Sequence, residues 1–187
     1  ARFRLQYGID GPFVLYVGRR EPGKNTPLLL DYWARYWRET GQGRGARLVL
    51  LGPGEVALPA AAADGFVDLG FVPAQDKRDA LAAAAVFCLP SVNESFSIAL
   101  MESWLHETPA LVHGRCAVTV EHCRKSNGGL YFTDYDEFAA TLDYLLDHPG
   151  TAARMGQGGR RYVLDNYQWP RVIPRYRELF SRVAAQQ

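Results

Sequence analysis

Short, unbroken apolar runs recur along this chain, each closed by a glycine, proline or serine turn. They are Phe13-Val14-Leu15-Tyr16-Val17, Leu48-Val49-Leu50-Leu51 within the stretch from Ala46 to Leu51, Ala85-Val86-Phe87-Cys88-Leu89 and Pro109-Ala110-Leu111-Val112, while the shorter Phe66-Val67-Asp68-Leu69 is interrupted by one aspartate. A strand covered on one face alternates apolar with polar residues. A run that is apolar at every position has both faces buried. The segments between the runs carry helical spacing. Leu28, Leu29, Tyr32, Trp33, Tyr36 and Trp37 recur at that period, and their aromatic rings read as core. Strands alternating with helices predict an α/β fold: a Rossmann-like parallel sheet flanked by helices on both faces, with helices at the C-terminus.

Finer expectations follow from breakers and caps. Residues 1–12 read as a lead-in, because Gly8 and Gly11-Pro12 interrupt them. Asn25 or Thr26 is placed to cap the helix that has Pro27 in its first turn. Further helices are expected over 75–84, 97–107, 118–124, 135–146 and 155–167, with a terminal helix over 170–187. The small residues of 57–63 point to no element.

At 187 residues and 48% hydrophobic content the chain is expected to form a single domain. A net charge of +1 gives no global field toward nucleic acid. No apolar run reaches the roughly 18 residues of a membrane span. The cysteines are Cys88, Cys116 and Cys123, an odd number with Cys88 in an apolar run, so a reducing, cytoplasmic location is expected. Cys116, His122 and Cys123 lack the spacing of a zinc site, so no metal is expected. The terminal segment holds Arg171, Arg175, Arg177 and Arg182. It could rest on an inner membrane face, though a solvated face is the simpler reading. Exposed apolar surface there would favour a dimer. The chain begins at Ala1 and enters a strand within about a dozen residues, so it reads as part of something longer.

One turn concentrates the chemistry. Pro90-Ser91-Val92-Asn93-Glu94-Ser95-Phe96-Ser97 leaves a buried strand and opens a helix at Ser97-Ile98. In an open parallel sheet, ligands bind at that edge. Free N–H groups at a helix N-terminus attract phosphate. Four turns follow four strands and gather there: Gly18 to Lys24, Gly52-Pro53-Gly54, Gly70 to Pro73, and Pro90 to Ser97. Arg19 and Lys24 from the first can face the helix of the fourth. Each alone reads as a surface charge; with the turn they read as a diphosphate site. Glu102 lies inside the helix at the edge of its apolar stripe, where it either reaches water or accepts hydrogen bonds from a ribose diol. Glu94 could hold further hydroxyls, and a base would lie near Gly70-Phe71-Val72-Pro73. The ligand this describes is a nucleotide-sugar. His113 reads as a core or rim histidine.

These residues, in this order, resemble the C-terminal domain of retaining glycosyltransferases of family 4. The resemblance rests on Gly18-Arg19 with Lys24, Gly52-Pro53-Gly54-Glu55, Gly70-Phe71-Val72-Pro73, Glu94 with Glu102 eight positions on, Thr108-Pro109 and Met155-Gly156. It implies one half of a GT-B architecture of two Rossmann-like domains. It implies that Arg19 and Lys24 bind the donor diphosphate and, with Glu94 at the sugar, form the catalytic set. Glu102 would hold the ribose. Gly18, Val72, Phe96, Ser97, Ile98 and Glu121 would complete the donor site. The implied donor is a UDP-, GDP- or ADP-linked sugar, transferred with no metal and no other cofactor. The N-terminal acceptor domain of such an enzyme is the missing partner, and the chain alone would transfer little. The sequence departs from the family in having Ser95 and Ser97 where glycines are usual, Glu107 before Thr108-Pro109, and Gly114-Arg115-Cys116-Ala117 in place of a glycine pair.

Two other functions are weighed. A non-catalytic nucleotide-sugar sensor would keep the same pocket. A dinucleotide-dependent oxidoreductase would need GxGxxG after the first strand and an acid near the end of the second, and neither is present.

Overall fold

The computed structural model describes residues 2–185. Ala1, Gln186 and Gln187, the outermost parts of the expected lead-in and terminal helix, lie outside the described residues. Six parallel strands form one sheet in the order β3-β2-β1-β4-β5-β6. They are β1 (Phe13–Val17), β2 (Arg47–Leu51), β3 (Phe66–Gly70), β4 (Val86–Leu89), β5 (Ala110–His113) and β6 (Gly129–Phe132). Eight α-helices are found among the described residues: α1 (Arg2–Tyr7), α2 (Thr26–Glu39), α3 (Ala74–Ala83), α4 (Ile98–Leu105), α5 (Ala117–Ser126), α6 (Tyr135–Asp147), α7 (Pro149–Tyr167) and α8 (Trp169–Ala184).

The unbroken apolar runs are explained by two cores, one on each side of the sheet. Side chains alternate along a strand. Val14 and Tyr16 of β1, Leu48 and Leu50 of β2, and Val86 and Cys88 of β4 enter one core with Trp33, Tyr36 and Phe138. Phe13 and Leu15, Val49 and Leu51, and Phe87 and Leu89 enter the other with Leu100 and Trp104. Every one of these positions needs an apolar residue because each faces a helix layer. Fully burying a side chain such as Leu15 contributes roughly 1.5–3 kcal/mol.

The lead-in is a correction. Residues Arg2–Tyr7 form a helix that packs on α3. Its Phe3, and Ile9 just after it, are buried. Arg2 pairs with Asp76 and Asp79, and Tyr7 donates to Asp76 at 2.7 Å. Six residues make too short a helix to stand alone, so these tertiary contacts create it. The expected cap is a second correction. Neither Asn25 nor Thr26 caps α2 with its side chain; Asn25 takes a left-handed conformation, φ 55, and is used elsewhere. The stretch left without an element holds a short 3-10 turn, Ala60–Gly65. Helix α7 starts at Pro149, a turn and a half before the expected position.

Helix α8 buries none of its residues. Trp169, Tyr176, Phe180 and Val183 lie uncovered along it. No helix among the described residues is long and apolar enough to cross a membrane.

Candidate functional site

The chain runs from β1 out through β2 to β3, then returns to lay β4 on the other side of β1. This reversal opens a crevice between the turns after β1 and β4 at the carboxyl edge, where ligands bind in sheets of this kind. Side-chain donors to backbone carbonyls hold the two turns together. Asn25 Nδ2 donates to the carbonyl of Pro90 at 3.0 Å, and Ser91 Oγ to that of Lys24 at 3.4 Å. The left-handed Asn25 thus ties β1's turn to β4's. Tyr16 Oη donates to the Arg19 carbonyl at 2.6 Å. The turn after β2 lies directly behind: a Cβ on Gly52 would stand 2.0 Å from the Gly18 carbonyl oxygen, so only glycine lets the two turns meet.

A cavity of about 130 Å³ fills the crevice, lined by Tyr16, Gly18, Lys24, Leu89, Glu94, Ser97, Ile98 and Ala99. Five of the residues expected from sequence, Gly18, Lys24, Glu94, Ser97 and Ile98, therefore meet at one place. Lys24 Nζ donates to Glu94 Oε1 at 2.8 Å. The first N–H groups of α4 have no acceptor within the helix and open toward this space. Their partial positive charge adds to that of the lysine.

The serine turn resolves one departure. Ser97 adopts φ 66, ψ 82, the left-handed conformation that glycine takes easily, while Ser95 keeps a negative φ. The turn accepts serine at a backbone cost of about 1–2 kcal/mol. Glu107 does the same at φ 61, in the position before Thr108-Pro109.

The remaining expected residues lie round this centre. Arg19 does not face α4: its side chain is 66% exposed and pairs with Glu21 at 3.2 Å. Glu102 is outside the small cavity and pairs with Lys77 of α3 at 2.7 Å. Val72 is buried in the core that holds Leu100 and Trp104, whereas its neighbour Phe71 is 84% exposed beside it. Phe96 packs edge-on against His122 and Tyr167, so it anchors the turn to α5 and α7. Glu121 pairs with Lys125 along α5 and points to solvent. It is absent from the walls of the neighbouring cleft of about 470 Å³, which are Val92, Asn93, Glu94, Ser95, Arg115, Cys116, Ala117 and Val118. His113 is buried, its ring held below the usual imidazole pKa by burial and by the nearby Arg115. A separate cavity of about 410 Å³ opens at the opposite, amino edge of the sheet beside Pro12, Ala85 and Pro109, and holds none of these residues.

Lys77 was missed by sequence reasoning. It sits in the first turn of a polar helix, where a lysine carries no signal. Only the crossing of α3 and α4 brings it to Glu102. Buried Arg20, paired with Asp68, was missed for the same reason.

Residues 11–148 match the family "Glycosyl transferases group 1". The chain belongs to this family. Among curated relatives, D-inositol 3-phosphate glycosyltransferase of Salinispora arenicola is 30% identical over 99% of this chain and 44% of its own length. GDP-mannose-dependent alpha-(1-6)-phosphatidylinositol monomannoside mannosyltransferase of Mycolicibacterium smegmatis is 28% identical over 97% of this chain and 51% of its own. The chain spans about half the length of these relatives. Solved structures of GT-B glycosyltransferases share the fold. Sucrose-phosphate synthase of Thermosynechococcus elongatus superposes with a TM-score of 0.79 at 22% identity, covering 99% of this chain and 49% of that one. Anabaena HepE, solved with UDP, gives 0.80 at 15% identity, covering 97% and 52%. In this chain the β1 and β4 turns converge on a lysine, a carboxylate and a helix N-terminus.

Proposed function

We propose that this chain is the C-terminal, donor-binding half of a retaining, family 4 glycosyltransferase that moves a hexosyl group from a nucleoside diphosphate to an acceptor hydroxyl. The observation that carries this is the shared cavity of Gly18, Lys24, Glu94, Ser97 and Ile98 at the β1–β4 crevice. The relative named as a GDP-mannose-dependent mannosyltransferase, and HepE solved with UDP-glucose, support a nucleotide-sugar donor.

In this reading the diphosphate lies against the N-terminus of α4, with Lys24 beside it. Arg19, on a long, exposed side chain at the rim, exchanges Glu21 for the distal phosphate. Glu94 holds sugar hydroxyls and Glu102 the ribose. When the bond from the anomeric carbon to the phosphate oxygen breaks, its electron pair leaves with the nucleoside diphosphate. The added negative charge meets fixed N–H dipoles and cations, which stabilise the transition state more than the ground state. The acceptor oxygen bonds to the same face of the sugar, and its proton passes to the departing phosphate. The chain's own residues serve these steps without a metal. The acceptor site belongs to the other half of the enzyme, so this half alone binds donor and transfers little.

Calorimetric titration of the chain with UDP, GDP and ADP tests the reading. One diphosphate should bind, and Arg19→Ala with Lys24→Ala should weaken it far more than the matching nucleoside. Absence of binding to all three would remove the donor-site assignment.

A further inference from the structure

Lys77 is tied to the reading of Glu102 by position, and its role goes beyond it. Glu102 is the fifth residue of α4, at the start of its second turn, with its side chain 34% exposed at the edge facing α3. A glutamate so placed has several open rotamers, and ordering it on ligand binding costs side-chain entropy. Lys77 removes that freedom. Its Nζ donates to Glu102 Oε1 at 2.7 Å. Its own backbone is fixed, because Lys77 N–H bonds the Pro73 carbonyl at 3.0 Å in the first turn of α3. That turn follows directly on Val72 and Pro73, the segment beside which the base is placed. The lysine occupies one carboxylate oxygen and leaves Oε2 with no partner among the described residues, open to a hydroxyl pair.

The pair also balances charge. An unpaired Glu102 would stand about one turn from the helix end where a diphosphate docks, and two like charges there repel. With Lys77 bound, the local charge is neutral. As a stability element the pair contributes little, since both side chains are about a third exposed. Its geometry therefore bears on ligand binding more than on the fold.

We propose that Lys77 is a positioning residue that presents Glu102 to the donor ribose and so sets discrimination between ribose and 2′-deoxyribose. The proposal rests on the donor-site reading above.

The test is calorimetry on the whole chain with a nucleoside diphosphate that binds and its 2′-deoxy form, in five proteins: unchanged, Lys77→Met, Lys77→Arg, Glu102→Gln and the double variant Lys77→Met with Glu102→Gln. The unchanged protein should prefer the ribonucleotide by about tenfold, the scale of one hydrogen bond to a charged group. Lys77→Met should abolish most of that preference while its thermal midpoint stays put, and Lys77→Arg should restore part of it. In the Glu102→Gln background, Lys77→Met should cost almost nothing further, because the two act as one unit. Equal losses from Lys77→Met in both backgrounds, or a preserved ribose preference in Lys77→Met, would overturn the role of Lys77 while leaving the donor site standing. Failure of the unchanged protein to bind any of the three diphosphates would overturn both.

Discussion

Lys24 Nζ lies 2.8 Å from Glu94 Oε1 across a sequence separation of 70 residues. The contact joins the turn after β1 to the turn after β4 at the point where the sheet reverses. Glu94's side chain is only 10% exposed and Lys24's 27%. Lys24→Met would leave a nearly buried carboxylate without its cation. We expect a loss of about 1–3 kcal/mol in urea unfolding. Glu94→Gln removes the charge with the shape kept and should cost less than Lys24→Met. The reverse ranking would show that the pair does not hold the turns together.

Ser97→Gly should stabilise the domain. The left-handed serine costs about 1–2 kcal/mol, and glycine gives back roughly 0.5–1 kcal/mol through its freer unfolded state. The expected net gain is about 0.5 kcal/mol, or 1–2 °C in the thermal midpoint of a chain about this long. A lower midpoint would mean that serine is favoured at φ 66 by something other than its backbone.

Gly156→Ala should act in the opposite sense. Alanine in an ordinary helix interior gains roughly 0.5–1 kcal/mol over glycine. Here an added Cβ would stand 1.7 Å from the Glu107 carbonyl oxygen, so α7 could no longer lie against the end of α4. Overpacking costs about 1–3 kcal/mol, and α7 must also move. Chemical denaturation should show a net destabilisation of about 2 kcal/mol; an alanine variant as stable as the parent would disprove the close approach.

Acid should weaken the fold before its carboxylates titrate. His106, His113 and His122 are all held below their usual value of 6.5, in each case chiefly by burial. The folded state then binds fewer protons than the unfolded one, so stability rises with pH. It is whole above 6.5 and is lost as pH falls through the lowered values. Urea midpoints measured from about pH 8 to about pH 5 should decline across the lower half of that range, and less steeply in His122→Gln. A flat profile would contradict the burial of these rings. The carboxylates of Asp76, Asp79 and Asp147, all lowered by hydrogen bonds, act at lower pH still.

The strands and the site's centre were legible in the sequence for a common reason. A strand buried on both faces needs an apolar residue at every position, and Leu15 or Val49 can be nothing else. The turn from Pro90 to Ser97 was equally legible, because polar residues between a buried strand and a helix have few other uses. Helix α1 was not legible. Its six residues hold no capping or periodic signal, and it exists because Arg2 and Tyr7 reach Asp76 on another element.

The site divides in the same way. Glu94, Lys24 and Ser97 could be named from the chain, since local pattern puts them on turns after parallel strands, and parallel strands end at one edge. The chain could not show that Arg19 pairs with Glu21, that Glu121 follows Lys125 into solvent, or that Lys77 clasps Glu102. Burial and backbone periodicity are local properties, written in which residues neighbour which along the chain. The partner of a long, charged side chain is settled by which helices cross. In this protein α3 meets α4, so that crossing exists only once both lie against the finished sheet.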